Sequence, residues 1–219
     1  MKRNLIILVA ILAVVGGCEH KSSGGFSLFG AKDPIDMKVG ELLGKMTVEE
    51  KVGQMTQITL QSFAGEDKDG YVKLDPEKLR AGIVEHHIGS ILNCAGRART
   101  VENWNEIITV IQDIATKETR LGIPVIYGID SIHGANYITG ATVFPQNIAM
   151  AATGNGVLMY RLGEICAYET RAAGIPWNFN PVLGLGRQPM WSRFWETFGE
   201  DAYMAAAMGT GEWTVIGEV

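Results

Sequence analysis

The chain has 219 residues, 47% hydrophobic and 20% charged, proportions of an ordinary globular protein with room for one substantial domain. Those totals exclude a disordered or collagen-like chain. The formal net charge of -5 gives no basic face for nucleic acid, so small neutral ligands or proteins are the expected partners.

Lys2 and Arg3 precede an unbroken apolar run from Leu5 to Val15, then Gly16, Gly17 and Cys18. This is the layout of a secretory signal peptide over residues 1–17, and the run is too short to span a bilayer, which needs roughly 20 apolar residues. Val15-Gly16-Gly17-Cys18 resembles a bacterial lipobox, in which the cysteine is acylated and becomes the new N-terminus. The expectation is an exported lipoprotein anchored through Cys18 at a periplasmic, outer-membrane or cell surface, against a plain signal peptide with an incidental cysteine. Residues 18–35, with Ser22-Ser23-Gly24-Gly25, read as a flexible tether. With Cys18 modified, Cys94 and Cys166 remain, and two buried free thiols are expected over one disulfide. No metal site is expected, because His86-His87 cannot easily point both rings at one ion.

Helical spacing of apolar residues runs from Met37 to Lys45, and Thr47-Val48-Glu49-Glu50 is a capping-box signature that starts a second helix. Gly53 to Leu60 suits a first strand, Asp75 to Val84 a helix, and Gly89 to Asn93 a second strand. Thr100 to Lys117 places Val101, Trp104, Ile107, Ile108, Ile111 and Ile114 on one helical face. Pro124 to Asp130 is a continuous buried strand ending in a carboxylate, Leu158 to Ala173 is an amphipathic helix, and Trp177 to Pro181 is a fourth strand. Strands separated by helices of this length predict parallel βαβ units and an α/β fold, either a barrel or a doubly wound sheet. The glycines at Gly184-Leu185-Gly186 and Gly209-Thr210-Gly211 lack the spacing of a dinucleotide fingerprint, and no cofactor is expected.

Two segments concentrate chemistry. In Gly128-Ile129-Asp130-Ser131-Ile132-His133-Gly134 an apolar strand ends in Asp and His, which puts polar groups at the C-terminal edge of a parallel sheet, where βα loops build sites. The two oxygens of Asp130 can accept from two neighbouring hydroxyls, as a sugar ring presents them; the alternatives are a helix-capping Asp130 and a buried, structurally satisfied His133. Gly186 to Asp201 holds two Arg, two Trp and three carboxylates. Guanidinium forks and Trp faces suit sugars, but the same residues could form a salt-bridge network of Arg187 or Arg193 with Glu196, Glu200 or Asp201.

Together, GIDSIHGANYITGATVFPQNIAMAAT and NFNPVLGLGRQPMWSRFWETFGED resemble the N-terminal barrel of family 3 glycoside hydrolases of the β-glucosidase and exoglucanase type. LLGKMTVEEKVGQMTQ resembles that family's opening helix and first strand, and GIVEHHIGSILN its second. The resemblance implies the N-terminal part of a (β/α)8 TIM-type barrel over residues 36–208, about four βα units, followed by a divergent tail at 209–219. It implies that Asp130 binds two hydroxyls of the non-reducing-end sugar, that Arg193 contacts the same sugar, and that His133 belongs to the site more as loop support than as a sugar contact. Ser192 stands where the family has Gly, which leaves Arg193 in register. The expected ligand is a β-glucoside or β-glucan oligosaccharide, with membrane contact through the lipid anchor alone.

Family members hydrolyse β-glycosides with retention, using an Asp nucleophile on a later strand and a further acid/base; retention needs two carboxyl groups roughly 5 Å apart. Neither the family's Lys-His-Phe segment nor its nucleophile motif is present, so the nucleophile is expected beyond Val219, in a longer reading of the gene, and this chain alone is expected to be inactive and poorly stable, as a half-barrel with uncovered strand edges. Alternatives are a non-catalytic glycan-binding surface lipoprotein, and a β-xylosidase or β-N-acetylglucosaminidase of the same family, the last normally marked by an Asp-Gln-Glu-Gly-Gly motif in place of GIDSIHG.

Overall fold

The computed structural model describes residues 33–66, 72–94 and 97–216. The signal segment, Cys18 and the tether as far as Lys32 lie outside the described residues. The chain divides into two units, with the boundary between Lys45 and Met46. In the first, helix α1 spans Pro34–Lys45, slightly earlier than the apolar spacing indicates, because the Asp33 carboxylate accepts from the amide of Ile35 at 2.8 Å and so opens the helix. Glu41 and Lys45 pair one turn apart at 2.6 Å.

The second unit opens with helix α2 (Val48–Gln54), whose start is the capping box expected from sequence: the Glu50 amide donates to Thr47 Oγ1 at 3.2 Å and the Thr47 amide to Glu50 Oε2 at 2.8 Å. Glu50 also receives Arg120 at 2.5 Å, tying the helix start to the loop that follows the long helix of the domain. Gly53 remains helical, so the first strand is shorter than expected and begins at Gln57; a Cβ on Gly53 would lie 2.5 Å from the His86 and His87 carbonyl oxygens. From there the order is β1 (Gln57–Thr59), a 3-10 turn (Leu60–Phe63), β2 (Ala64–Glu66), β3 (Val72–Leu74), α3 (Pro76–Arg80) and a π-helical turn (Ala81–Glu85). Next come β4 (Ser90–Leu92), α4 (Val101–Lys117), β5 (Ile126–Ile129), α5 (Asn147–Ala151), α6 (Gly156–Ala172), β6 (Trp177–Asn178), a second 3-10 turn (Phe194–Glu196) and α7 (Ala202–Ile216).

Strands β1, β4, β5 and β6 form one parallel sheet in that order, with Gln57, Ser90 and Ile126 in register and Gly128 opposite both Leu92 and Trp177. Successive parallel strands are therefore always neighbours, each reached by a crossover in the same direction. A doubly wound sheet reverses its strand order at a switch point, and this sheet does not, so the winding is that of a barrel. Every expected strand is present but shorter at its ends, and a small antiparallel pair, β2 with β3, appears where no strand was expected. The helix expected over Asp75 to Val84 begins with Asp75 as its cap but widens into the π-turn after Arg80, where Gly82 packs against Phe63 so closely that a Cβ would sit 2.4 Å from the ring.

Two hydrophobic clusters fill the domain. The larger gathers Leu60, Leu79, Ile91, Trp104, Ile111, Tyr127, Ile129 and Ile175 between the sheet and α3 and α4. The apolar face read from α4 is the buried one: Trp104, Ile107, Ile111 and Ile114 are inside, and Val101 and Ile108 pack at its border. Trp104 meets Tyr127 edge to face at 5.7 Å and donates its indole N–H to the Tyr137 carbonyl at 2.9 Å. The smaller cluster joins α5, α6 and α7 through Met150, Met159, Leu162, Cys166, Phe198 and Met208. Cys94 and Cys166 are both buried and are not joined in a disulfide, and burial, then the nearby Glu212, pushes the Cys166 pKa up to about 12. α7 continues as one helix through Gly209 and Gly211 into the segment read as a divergent tail.

Candidate functional site

Strand β5 ends at Ile129, so Asp130 is the first residue beyond the sheet at its C-terminal edge. No helix follows it directly, which removes the helix-capping alternative; residues 131–146 form bridges, turns and coil before α5. The carboxylate is gripped from two sides. Asn93, just past β4, donates Nδ2 to Asp130 Oδ2 at 2.7 Å and accepts the Asp130 amide on Oδ1 at 3.1 Å. Arg193 donates Nη2 to Asp130 Oδ1 at 3.1 Å.

Arg193 stands at the entry of the 3-10 turn, and its Nε donates to Glu196 Oε2 at 2.6 Å. Three residues per turn bring positions 193 and 196 onto one side, so the guanidinium bridges Glu196 and Asp130. Burial works against its charge, but Glu196 and Asp130 outweigh that and raise its pKa. The salt-bridge alternative and the binding reading thus describe one arrangement: Arg193 is ion-paired and also lines a cavity. Asp201, also a candidate for that network, instead accepts the Met204 amide at 2.7 Å near the start of α7.

The cavity, about 320 Å³, is lined by Asp130, Ile132, His133, Asn136, Tyr137, Gln146, Arg193 and Glu196. All three residues singled out from sequence, Asp130, His133 and Arg193, therefore meet in it. His133 also holds its own loop. Its Nδ1 lies 2.8 Å from the Phe144 carbonyl oxygen, which fixes the proton on Nδ1, and its own carbonyl accepts the Phe144 amide at 2.7 Å. Gly134 allows the return of that loop: its φ is +111°, and a Cβ would lie 2.0 Å from the Thr142 carbonyl oxygen. Thr142 is tied in turn to Glu169 of α6 through its amide at 2.9 Å and its hydroxyl at 2.9 Å. Burial, then the Asp130 charge, raises the Tyr137 pKa, so its hydroxyl remains protonated and available as a donor or acceptor.

A carboxylate offers about four lone-pair positions. Asp130 uses one on each oxygen for protein donors and keeps one on each for a ligand, which suits two neighbouring hydroxyl groups. Both carboxylates of the cavity, Asp130 and Glu196, are engaged by the same guanidinium, an arrangement that suits binding and positioning.

Sequence reasoning missed Asn93 and Asn178. Asn178 ends β6 and clamps Ser131 as Asn93 clamps Asp130, accepting the Ser131 amide at 3.1 Å and donating to its carbonyl at 3.3 Å. The available signal was an Asn at or just after the end of the strand on each side of β5.

The fold and the site together define a barrel-type α/β domain with an ion-paired carboxylate at the C-terminal edge of its sheet, the edge at which domains of this class build their sites. Residues 47–214 match the model of the glycosyl hydrolase family 3 N terminal domain, and the chain belongs to that family. The match passes Met208 and enters the segment read as divergent. Lysosomal beta glucosidase of Dictyostelium discoideum is 41% identical over 182 residues, which is 80% of this chain and 22% of that protein. A periplasmic beta-glucosidase of Salmonella typhimurium is 32% identical over 80% of this chain and 20% of its own length. Among solved structures, the exo-1,3/1,4-beta-glucanase of a Pseudoalteromonas species superposes with a TM-score of 0.69 at 30% identity, covering 85% of this chain and 23% of that one. The fold is thus part of a TIM-type barrel, and the chain spans about a fifth of the length of these curated relatives.

Proposed function

We propose that this chain carries the glycone-binding part of a β-glucosidase-like family 3 glycoside hydrolase, receiving the non-reducing-end sugar of a β-glucoside or β-glucan oligosaccharide. The observation that carries the reading is the Asp130–Arg193 pair at 3.1 Å, set into a polar cavity at the C-terminal edge of the parallel sheet. Asp130 accepts two sugar hydroxyls, Arg193 donates to the same ring, and His133 holds the loop that closes the cavity wall. Ile132 supplies an apolar surface beside these polar groups.

Hydrolysis with retention needs a nucleophile and an acid/base in addition to these binding groups. Export through residues 1–17 agrees with the periplasmic naming of one relative, while the lipid anchor at Cys18 rests on the lipobox-like sequence alone. Titration calorimetry of the purified chain with glucose and cello-oligosaccharides tests the binding half. Saturable heat that disappears in Asp130→Ala supports it; a soluble, folded monomer that gives no heat overturns it. Mass spectrometry of the protein isolated from bacterial membranes tests the anchor, which requires a diacylglyceryl mass on Cys18.

A further inference from the structure

Asn93 stands immediately after β4 with φ at +49°, in the left-handed region where few residues other than glycine sit easily. A turn alone would explain an asparagine there, with its side chain in solvent or bonded to nearby backbone. Both side-chain atoms instead reach 37 residues along the chain to Asp130, Nδ2 to the carboxylate at 2.7 Å and Oδ1 to the backbone amide at 3.1 Å. The orientation of the amide is fixed by chemistry, because a carboxylate only accepts and an N–H only donates. The backbone of Asn93 is held as well: its carbonyl accepts the Tyr127 hydroxyl at 2.6 Å, and its amide donates to the Gly128 carbonyl at 2.9 Å. Tyr127 is fully buried, so this anchor belongs to the core.

We propose that Asn93 is the positioning residue of the site: it fixes the rotation of the Asp130 carboxylate so that one lone pair on each oxygen faces ligand hydroxyls while Arg193 takes its place on Oδ1. The proposal rests on the reading of Asp130 as a sugar-binding group. Without Asn93 the carboxylate would keep Arg193 as its remaining side-chain partner, on an exposed turn. It could then rotate to bind the guanidinium with both oxygens, which is the usual geometry of such pairs and would occupy the lone pairs the ligand needs.

Glycine tolerates the backbone angle at least as well as asparagine, so Asn93→Gly removes the side chain without the strain that most substitutions would add. The full chain is compared as wild type, N93G and N93D by calorimetry with glucose and cellobiose, by thermal melting, and by hydrogen exchange at the Asp130 amide. N93D keeps the shape but sets a second carboxylate against Asp130. The expected result is a retained melting transition in N93G, faster exchange at the Asp130 amide, and affinity lowered on the order of tenfold, as for the loss of one charge-assisted hydrogen bond; N93D binds more weakly still. Unchanged affinity in folded N93G overturns the proposal, whatever the exchange rate. If the wild type binds neither sugar, the glycone reading falls, and Asn93 is judged on exchange alone: faster exchange at Asp130 in N93G supports the positioning role, and unchanged exchange refutes it. If N93G does not melt cooperatively, N93D takes its place in the same comparisons.

Discussion

Arg193 holds two carboxylates with one guanidinium, and a planar fork can do this where a point charge cannot. Arg193→Lys is therefore expected to keep the charge, lose one of the two pairings and weaken glucose binding on the order of tenfold in calorimetry, while the chain keeps its melting temperature, because the pair is part-exposed and contributes little to stability. Equal affinity in the two chains would remove the fork from the account. Gly134→Ala should act the other way. A Cβ at φ +111° collides with the Thr142 backbone, so the loop carrying His133 cannot close, and a destabilisation of at least about 2 kcal/mol is expected in urea unfolding. The strand that stops at Asp130 drew attention by itself, whereas Arg193 stood out from Arg187 only through the family resemblance, because a loop dense in Arg, Trp and acids fits a salt-bridge network equally well. Asn93 and Asn178 were not legible: one amide after a strand has the same appearance whether it serves a turn or reaches across to a neighbouring strand.

At the scale of elements, α7 carries a carboxyl group that is costly to bury. Glu212 is fully buried, receives Asn180 Nδ2 on one oxygen in a contact that also links Asn180 to the Ile132 carbonyl, and has no hydrogen-bond partner for its other oxygen among the described residues. Burial raises its pKa to about 8. The folded chain therefore binds more protons than the unfolded one between roughly pH 4.5, the ordinary value, and pH 8, and stability must fall as pH rises through that window and level off above it. A loss of a few kcal/mol across the window is expected in urea titrations, and Glu212→Gln, which imitates the protonated acid, should flatten the profile. A wild-type profile already flat from pH 5 to 8 would mean that the carboxyl reaches solvent. Helix starts were the most legible part of the fold, since Thr47, Asp75 and Thr100 all cap as their side chains allow. Strand lengths were less so. Gly53 stays helical because of backbone that approaches from residues 86 and 87, a contact remote in sequence and absent from any local pattern.

Across the whole second unit, the two apolar clusters meet at the site. Asp130 is held by Asn93 from the side of the larger cluster, and by Arg193 from a turn that packs on α5, part of the smaller one. The next residue, Ser131, accepts from Cys166 Sγ of α6 at 3.1 Å, so the strand end itself spans the seam. If the clusters open separately, Leu162→Ala should lower hydrogen-exchange protection in α6 and α7 by about 2–5 kcal/mol and leave the central amides of β4, β5 and α4 near their wild-type values. Ile111→Ala, in the larger cluster, should lower protection in both regions, because α6 and α7 have no sheet of their own to remain folded on. Saturating glucose should reduce the difference between the regions, since a ligand bound by Asp130 and Arg193 together stabilises only states in which the seam is closed. Equal loss of protection in both regions from Leu162→Ala would show a single cooperative core, and the site would then be rigid before any ligand arrives.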